Sequence, residues 1–242
     1  MTRLYLIRHG EAESNVTPIM GGMRGDTGLT ARGRQQAQRL HDRLASGEIA
    51  VDVLIASTLP RARQTAEIIA PALKLEPHLT DDIQELRIGE ADGMNIQDAW
   101  AQFGTPDFDR YPLRPIAPGG ESWGQFMLRV GTALQRITEE HAGKAIMLVC
   151  HGGFIDGSFV YFFELPSLSL PKSGFYTHNT SITSWQQTRY DQSLRWRLVG
   201  YNDIAHLYGM DLYESLPWTS TKTDDAEHDD HPSVPLPTER SE

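Results

Sequence analysis

The chain alternates between short apolar runs and longer stretches whose apolar residues recur at helical spacing. Six segments have the length and composition of strands: residues 4–7, 51–55, 77–79, 145–150, 181–187 and 194–201. Five show helical periodicity: residues 31–45, 60–73, 95–103, 123–137 and 153–163. Because strands separated by helices are joined by right-handed crossovers, this order predicts an α/β fold. We expect a three-layer sandwich with a mostly parallel central sheet and helices on both faces.

Three helix starts are marked by side chains that cap helices well. Thr30 precedes the first helix, and Ser57 or Thr58 can cap the second, whose first turn holds Pro60. Ser122 opens a capping box with the glutamine three residues later. The sequence therefore predicts that these helices begin directly after these residues.

Residues 86–120 lack a regular pattern. They are rich in glycine and proline, with aromatic residues scattered between. A long irregular segment inside a compact domain is usually functional. We therefore predict that this segment is a lid or a specificity wall that contains one short helix.

The end of the chain differs in composition from the rest. Between residues 222 and 242, seven acids face two bases, with three prolines and no aromatic residue. Such a stretch buries too little apolar surface to offset its ordering entropy. We expect one folded domain over residues 1–215 and an acidic, disordered tail over residues 216–242.

Composition excludes several classes of protein. The net charge of −10 counts against a nucleic-acid binder, and no apolar stretch approaches the length of a membrane span. The N-terminus has no signal-peptide pattern, and the single cysteine, Cys150, cannot form an intramolecular disulfide. We therefore expect a cytoplasmic protein with no membrane or nucleic-acid partner. The oligomeric state stays open, with a homodimer among the options.

Two predicted strands each end in a histidine followed by glycine. Arg8 and His9 follow the first apolar run, and His151 and Gly152 follow the run at 145–150. Open α/β sheets bind ligands at the carboxyl ends of their strands. The two turns therefore predict one site built around two histidines.

The arginines near these histidines indicate which ligand such a site could bind. Arg61 lies in the first turn of a helix that follows a strand, and both helix N-termini and guanidinium groups favour phosphate oxygens. Together, Arg61, this helix N-terminus, Arg8 and the two histidines predict a phosphate pocket. In such a pocket a neutral imidazole can attack phosphorus. A metal site is the alternative, but no close histidine or cysteine pair supplies further ligands.

In their order along the chain, these motifs resemble the histidine phosphatase superfamily, the phosphoglycerate mutase-like proteins. The matching segments are residues 8–10 with their continuation to Asn15, 29–33, 61–66, 85–89, 118–122 and 151–152. The resemblance spans residue 3 to about residue 200. It implies a phosphoglycerate mutase-like catalytic domain over residues 1–215, with residues 86–120 as its lid or specificity segment.

The resemblance also implies roles for individual residues. His9 would be the nucleophile, and Glu85 would protonate the leaving oxygen and then take a proton from water. The phosphoryl group would be bound by Arg8, Asn15, Arg61, His151 and Gly152. No metal or other cofactor would be needed. Asn15 as a plain loop cap, and Glu85 as a solvated glutamate, remain the alternatives for those two residues.

Phosphatase and mutase activities both occur in this family. The cofactor-dependent phosphoglycerate mutases carry a longer, arginine-rich insert after the acid motif, whereas here Arg110 and Arg114 are the only basic residues between Gly93 and Gly120. This favours a phosphatase that hydrolyses a small phosphomonoester through phosphohistidine. A phosphoglycerate mutase, a non-catalytic phospho-ligand-binding module and a metal-dependent phosphatase are the alternatives.

The substrate itself is not identified by the sequence. Arg24, Arg110 and Arg114 are candidates for the substrate rim. Ala91 and Asp92 stand where the family often has an aromatic residue and a glutamate, so the shape of that rim stays open.

Overall fold

A six-stranded sheet forms the centre of the fold in the computed structural model, which describes residues 1–169, 174–191 and 193–210. Its strands are β1 Arg3–Arg8, β2 Val53–Ser57, β3 His78–Thr80, β4 Ala145–Cys150, β5 Ile182–Tyr190 and β6 Ser193–Asp203. They lie in the order β3-β2-β4-β1-β5-β6. Strands β1 to β4 are parallel, and β5 and β6 add an antiparallel pair beside β1.

Helices cover both faces of this sheet. They are α1 Glu13–Val16, α2 Ala31–Ala45, α3 Pro60–Leu73, α4 Ile96–Phe103, α5 Trp123–Glu140 and α6 Gly152–Phe162. Short 3₁₀ turns lie at Asp81–Ile83, Gly89–Ala91 and Ala205–Leu207. None of the described helices combines the length and apolar character needed to cross a bilayer.

The side chains of alternate residues in the central strands pack into two separate cores, one on each face of the sheet. Leu6 and Leu148 pack on one face with α5 and α6, and Ile7 and Val149 pack on the other with α2 and α3. Side chains of a strand alternate between faces, so a continuous apolar run is needed when both faces are covered. The predicted α/β sandwich with a mostly parallel sheet is confirmed.

Two of the capping predictions are confirmed. Thr30 Oγ1 accepts a hydrogen bond from Gly33 N at 2.9 Å at the start of α2. Ser122 Oγ accepts a hydrogen bond from Gln125 N at 3.2 Å, and Gln125 Oε1 accepts one from Ser122 N at 2.8 Å. These local signals work because a capping box needs only residues within one helical turn.

The capping prediction for α3 is wrong. Its cap residue is Leu59, and neither Ser57 nor Thr58 caps the helix. The acceptor for Arg61 N is instead the carboxylate of Asp26, 3.1 Å away in a distant loop. A cap supplied from another part of the chain has no local sequence signature.

The irregular segment after Glu85 has a small core of its own. Ala91, Ala99 and Ala117 are buried together, with larger apolar side chains packed around them. The segment is therefore a folded layer beside the sheet, and its role as a lid or specificity wall stays a prediction. The predicted tail over residues 216–242 lies outside the described residues, as does the end of the predicted domain.

Candidate active site

The parallel pairing of β1 with β4 brings the two His-Gly turns together. Arg8 is in register with Cys150, so His9 and His151 leave the sheet at the same level. Their ring centroids are 5.2 Å apart, and both side chains are buried. The structure therefore places both predicted histidines in one site at the carboxyl edge of the sheet.

Hydrogen bonds determine which nitrogen of His9 carries the proton. Nδ1 is 2.7 Å from the carbonyl oxygen of Gly10, which can only accept, so Nδ1 is the protonated nitrogen. Nε2 accepts from Arg61 Nε at 3.0 Å. Burial lowers the pKa of His9 well below 6.5, and the charges of Arg61 and Arg8 lower it further. His9 is thus a neutral imidazole whose Nε2 lone pair points at a guanidinium group.

A buried carboxylate fixes the position of Arg61. Asp26 Oδ2 lies 2.9 Å from Arg61 Nη1, and the two side chains are 0% and 5% exposed. Gly21 O accepts a second bond from the same nitrogen at 2.9 Å. Asp26 Oδ1 also accepts from Gly28 N at 2.9 Å within the same loop, and Oδ2 accepts from Arg61 N at 3.1 Å, which ties this loop to the start of α3. Asp26 therefore holds Arg61 rigidly beside His9.

Asp26→Ala is expected to lower the free energy of unfolding by about 3–5 kcal/mol, because it leaves the buried Arg61 charge unpaired. Urea denaturation followed by circular dichroism measures the loss. Glu76→Ala, at an exposed position, serves as the control and should leave the midpoint unchanged. A loss below about 1 kcal/mol would mean that the guanidinium regains water and that Asp26 is not a structural anchor.

Arg8 lies on the other side of the histidine pair. Its Nη1 donates to the carbonyl oxygen of Thr177. Its Nε would lie 3.8 Å from a Cβ added at Gly152, the first residue of α6. Arg8 therefore lies close to the N-terminus of α6, and the binding of phosphate by these two groups stays a prediction.

His151 is held through a serine on β2. Its Nε2 is 2.8 Å from Ser57 Oγ. Its Nδ1 is buried and has no hydrogen-bond partner in the described part of the chain. Burial and the charge of Arg61 lower the pKa of His151 well below 6.5. The ring thus offers one ring nitrogen to a ligand.

Glu85 meets the start of α6. Its Oε2 accepts from Gly153 N at 2.9 Å, and its Oε1 accepts from Leu86 N at 3.0 Å. A Cβ at position 153 would lie 2.3 Å from Oε1, so only glycine allows this close approach. The second glycine after His151 therefore makes room for the predicted acid.

A half-buried arginine on α5 positions the segment that carries Glu85. Arg129 donates to the carbonyl oxygens of Asp82, Gln84 and Glu85 at 2.9–3.1 Å. Glu121 pairs with Arg129 at 2.7 Å and also accepts from the backbone of the same segment. The predicted family signature at residues 118–122 thus contributes a structural anchor for the acid.

Asn15 makes the contact expected of a loop cap. Its Oδ1 accepts from Ala12 N at 3.0 Å within the short helix α1. This bond directs the amide NH2 group, a donor, toward the opposite side. A phosphate contact from Asn15 stays a prediction.

A cavity of about 190 Å³ adjoins Glu85 and is lined by residues 21–23 and 84–89 together with Leu59 and Asp92. Asp92 accepts from the backbone N–H groups of Gly22, Arg24 and Gly25 and so holds one wall of the cavity. Asp92, which stands where the family often has a glutamate, thus bonds to the backbone of the loop at residues 22–25.

The predicted rim arginines lie in two places. Arg24 is exposed beside the cavity, where its guanidinium is 3.8 Å from Asp92. Arg110 stacks on Tyr111, and Arg114 donates to Phe103 O, so both contact their own segment. Neither Arg110 nor Arg114 lines the cavity beside Glu85. The structure therefore does not bring these two to the site with Arg24.

Sequence reasoning missed the groups that position the site. Asp26 holds Arg61 beside His9, Ser57 bonds to His151, and Arg129 bonds to the backbone of Glu85. Each contact joins residues that are far apart in the sequence. A carboxylate two residues before Gly28 is typical of a loop turn, and this was the only local signal for Asp26. The other two had no local signal.

The site combines a neutral histidine, two arginines, a second histidine and a carboxyl group. Fixed positive charges and helix N–H groups can bind phosphate oxygens, and the imidazole can act as a nucleophile. This combination is suited to phosphoryl transfer.

Comparison with known proteins identifies the family to which this chain belongs. The family model for the histidine phosphatase superfamily (branch 1) matches residues 4–204. Phosphoglycerate mutase-like protein 4 of Arabidopsis thaliana is 33% identical over 84% of this chain and 86% of its own. A probable phosphatase of Schizosaccharomyces pombe is 29% identical over 85% of this chain and 95% of its own.

Solved structures give the same result. A phosphoserine phosphatase from Entamoeba histolytica superposes with a TM-score of 0.67 at 26% identity, over 86% of this chain and 100% of that one. The alpha-ribazole phosphatase of Shigella flexneri superposes with a TM-score of 0.70 at 25% identity, over 84% of this chain and 97% of that one. By its fold and its matched sequence, the chain belongs to the histidine phosphatase superfamily.

Proposed function

We propose that this protein is a phosphatase that hydrolyses a small phosphomonoester through a covalent phosphohistidine on Nε2 of His9. The observation that carries the proposal is the bonding of His9. The Gly10 carbonyl holds the proton on Nδ1, and the Nε2 lone pair faces Arg61 at 3.0 Å. A buried, neutral imidazole held in this tautomer is prepared for attack on phosphorus.

The phosphoryl group would be bound between Arg8, Arg61 and His151. A phosphate oxygen would replace His9 as the acceptor of the Arg61 Nε–H, which frees the Nε2 lone pair. Ser57 Oγ accepts from Leu59 N at 3.3 Å and can donate its own proton to His151 Nε2. The proton of His151 would then sit on the buried Nδ1 and be donated to the ligand.

Glu85 would serve both halves of the reaction. In the first half, His9 Nε2 bonds to phosphorus, the bond from phosphorus to the alcohol oxygen breaks, and Glu85 gives that oxygen its proton. In the second half, Glu85 takes a proton from water, the water oxygen bonds to phosphorus, and the bond to Nε2 breaks. Inorganic phosphate leaves, and both side chains regain their starting state.

Hydrolysis is favoured over mutase chemistry by the walls of the site. Arg110 and Arg114 bond within their own segment, and neither lines the cavity beside Glu85. A mutase has to grip a carboxylate and exclude water from its phosphoenzyme. The names of the relatives include both activities, and the two activities differ in their products, which an assay distinguishes. The cytoplasmic location and the oligomeric state stay predictions.

Rapid mixing of the protein with p-nitrophenyl [³²P]phosphate, followed by an alkaline quench, tests the proposal. We expect burst release of nitrophenol and a labelled protein whose label survives base and is lost in acid, as phosphoramidates are. Peptide mapping should place the label on His9. His206→Ala, a variant of a half-buried histidine in the turn after β6, is the matched control and should label normally.

Other outcomes identify the rival functions. Isomerisation of 3-phosphoglycerate that depends on 2,3-bisphosphoglycerate would identify a mutase. Binding of phosphate esters without turnover would identify a binding module. Loss of turnover in EDTA, with no label on His9, would identify a metal-dependent phosphatase.

A further inference from the structure

A second carboxyl group lies on the face of α6 that borders the site. Asp156 follows Gly152 by four residues and Gly153 by three, so all three share one side of the helix. On that side, Arg8 approaches Gly152, and Glu85 bonds to Gly153 N. Asp156 is therefore directed toward the predicted phosphate-binding and acid groups.

The carboxyl group of Asp156 is incompletely bonded. Its Oδ1 is buried and has no hydrogen-bond partner within the described residues. Buried polar atoms in folded proteins are nearly always paired with protein or water. An acceptor of this kind beside a catalytic site is available to a donor on the ligand.

Charged and titratable groups surround Asp156 from three elements. Glu85 comes from the segment after β3, Arg8 from the end of β1 and Tyr201 from β6. Burial raises the pKa of Asp156 to about 7, the negative charge of Glu85 adds to the rise, and Arg8 opposes it. The side chain therefore changes its charge close to neutral pH.

We propose that Asp156 is a specificity-determining residue of this site, and that the substrate is a phosphomonoester whose alcohol carries an ammonium or hydroxyl donor near the ester bond. This inference rests on the proposed phosphatase function. The alcohol has to lie against Glu85 to receive its proton, which brings it into the field of Asp156. A carboxylate there attracts a donor and repels a substrate carboxylate. Asp156 thus also disfavours a phosphoglycerate.

Three phosphate esters of two-carbon alcohols report on this effect because they share the phosphate group and the first carbon and differ at the second carbon. They are phosphoethanolamine with an ammonium, ethyl phosphate with a methyl group, and 2-phosphoglycolate with a carboxylate. We expect kcat/KM to fall in that order. The first and last should differ by about 10- to 100-fold, as for a charge-assisted hydrogen bond gained or lost.

Asp156→Asn should reduce the differences in kcat/KM among the three esters. The ratio of kcat/KM for phosphoethanolamine to that for 2-phosphoglycolate should fall by about tenfold or more. Glu164→Gln, at an exposed position just past α6, is the matched control and should keep the wild-type ratio. Circular dichroism checks that the variant folds, and Asp156→Ser is the second variant.

The same ratio in the unmodified protein gives a test that needs no variant. It should rise between pH 6 and pH 8, because Asp156 loses its proton there while the ammonium keeps its own. If the ratio changes neither with pH nor in Asp156→Asn, or if the protein prefers 2-phosphoglycolate, the proposed role of Asp156 is overturned and the phosphatase function is unaffected. No hydrolysis of any of the three esters or of p-nitrophenyl phosphate overturns the phosphatase function and this inference with it.

Discussion

His9→Ala is expected to lower kcat for p-nitrophenyl phosphate by about 10⁴-fold or more, because it removes the nitrogen that would form the proposed covalent intermediate. The fixed charges of Arg8 and Arg61 remain, so the variant should still bind phosphate. Steady-state kinetics at pH 6–7 gives the change in kcat, and isothermal titration with inorganic phosphate gives the binding.

The control for this loss is His78→Ala, at an exposed position on β3, which should keep the wild-type kcat. Circular dichroism establishes that the His9 variant is folded. Equal turnover by wild type and the folded His9 variant would rule out the phosphohistidine mechanism. Loss of phosphate binding together with loss of turnover would instead point to a collapsed site.

Glu85→Gln is expected to lower kcat for an alkyl phosphate by about 10²- to 10⁴-fold, because an alkoxide cannot leave without a proton. The loss for p-nitrophenyl phosphate should be much smaller in the first half-reaction, since nitrophenolate leaves unprotonated. The amide oxygen can still accept from Gly153 N, so the segment keeps its anchor. Burst kinetics with both substrates separates the two halves.

The second half-reaction supplies an independent check on Glu85. Without a base, water attacks slowly, so the Glu85→Gln variant should accumulate phosphohistidine during turnover of p-nitrophenyl phosphate. Glu90→Gln, an exposed neighbour in the same segment, should show only the wild-type level of phosphohistidine. An equal loss of rate on alkyl and nitrophenyl substrates, with no accumulation above the wild-type level, would show that Glu85 only supports the structure.

The strands, the main helices and the two histidines could be predicted because their signals are local. Covered central strands need continuous apolar runs, and residues at the ends of parallel strands meet at one edge of the sheet. This was enough to pair His9 with His151 from the sequence. Arg61 could be added because a helix start follows β2 directly. Glu85 came only from the resemblance, since nothing in its own segment predicts that it reaches α6.

The groups that make the site work as a unit could not be read from the sequence. Asp26 reaches Arg61 across 35 positions, and Ser57 reaches His151 across 94. The sequence did not predict a role for Asp156, because the residues next to it in the helix do not show which groups from other segments its side chain faces. The sequence by itself determined which residues stand at strand ends and helix starts, since those depend on short-range periodicity. Only the tertiary structure decided their charge, tautomer and partners, because electrostatic and hydrogen-bond energies depend on distances between segments remote in the chain.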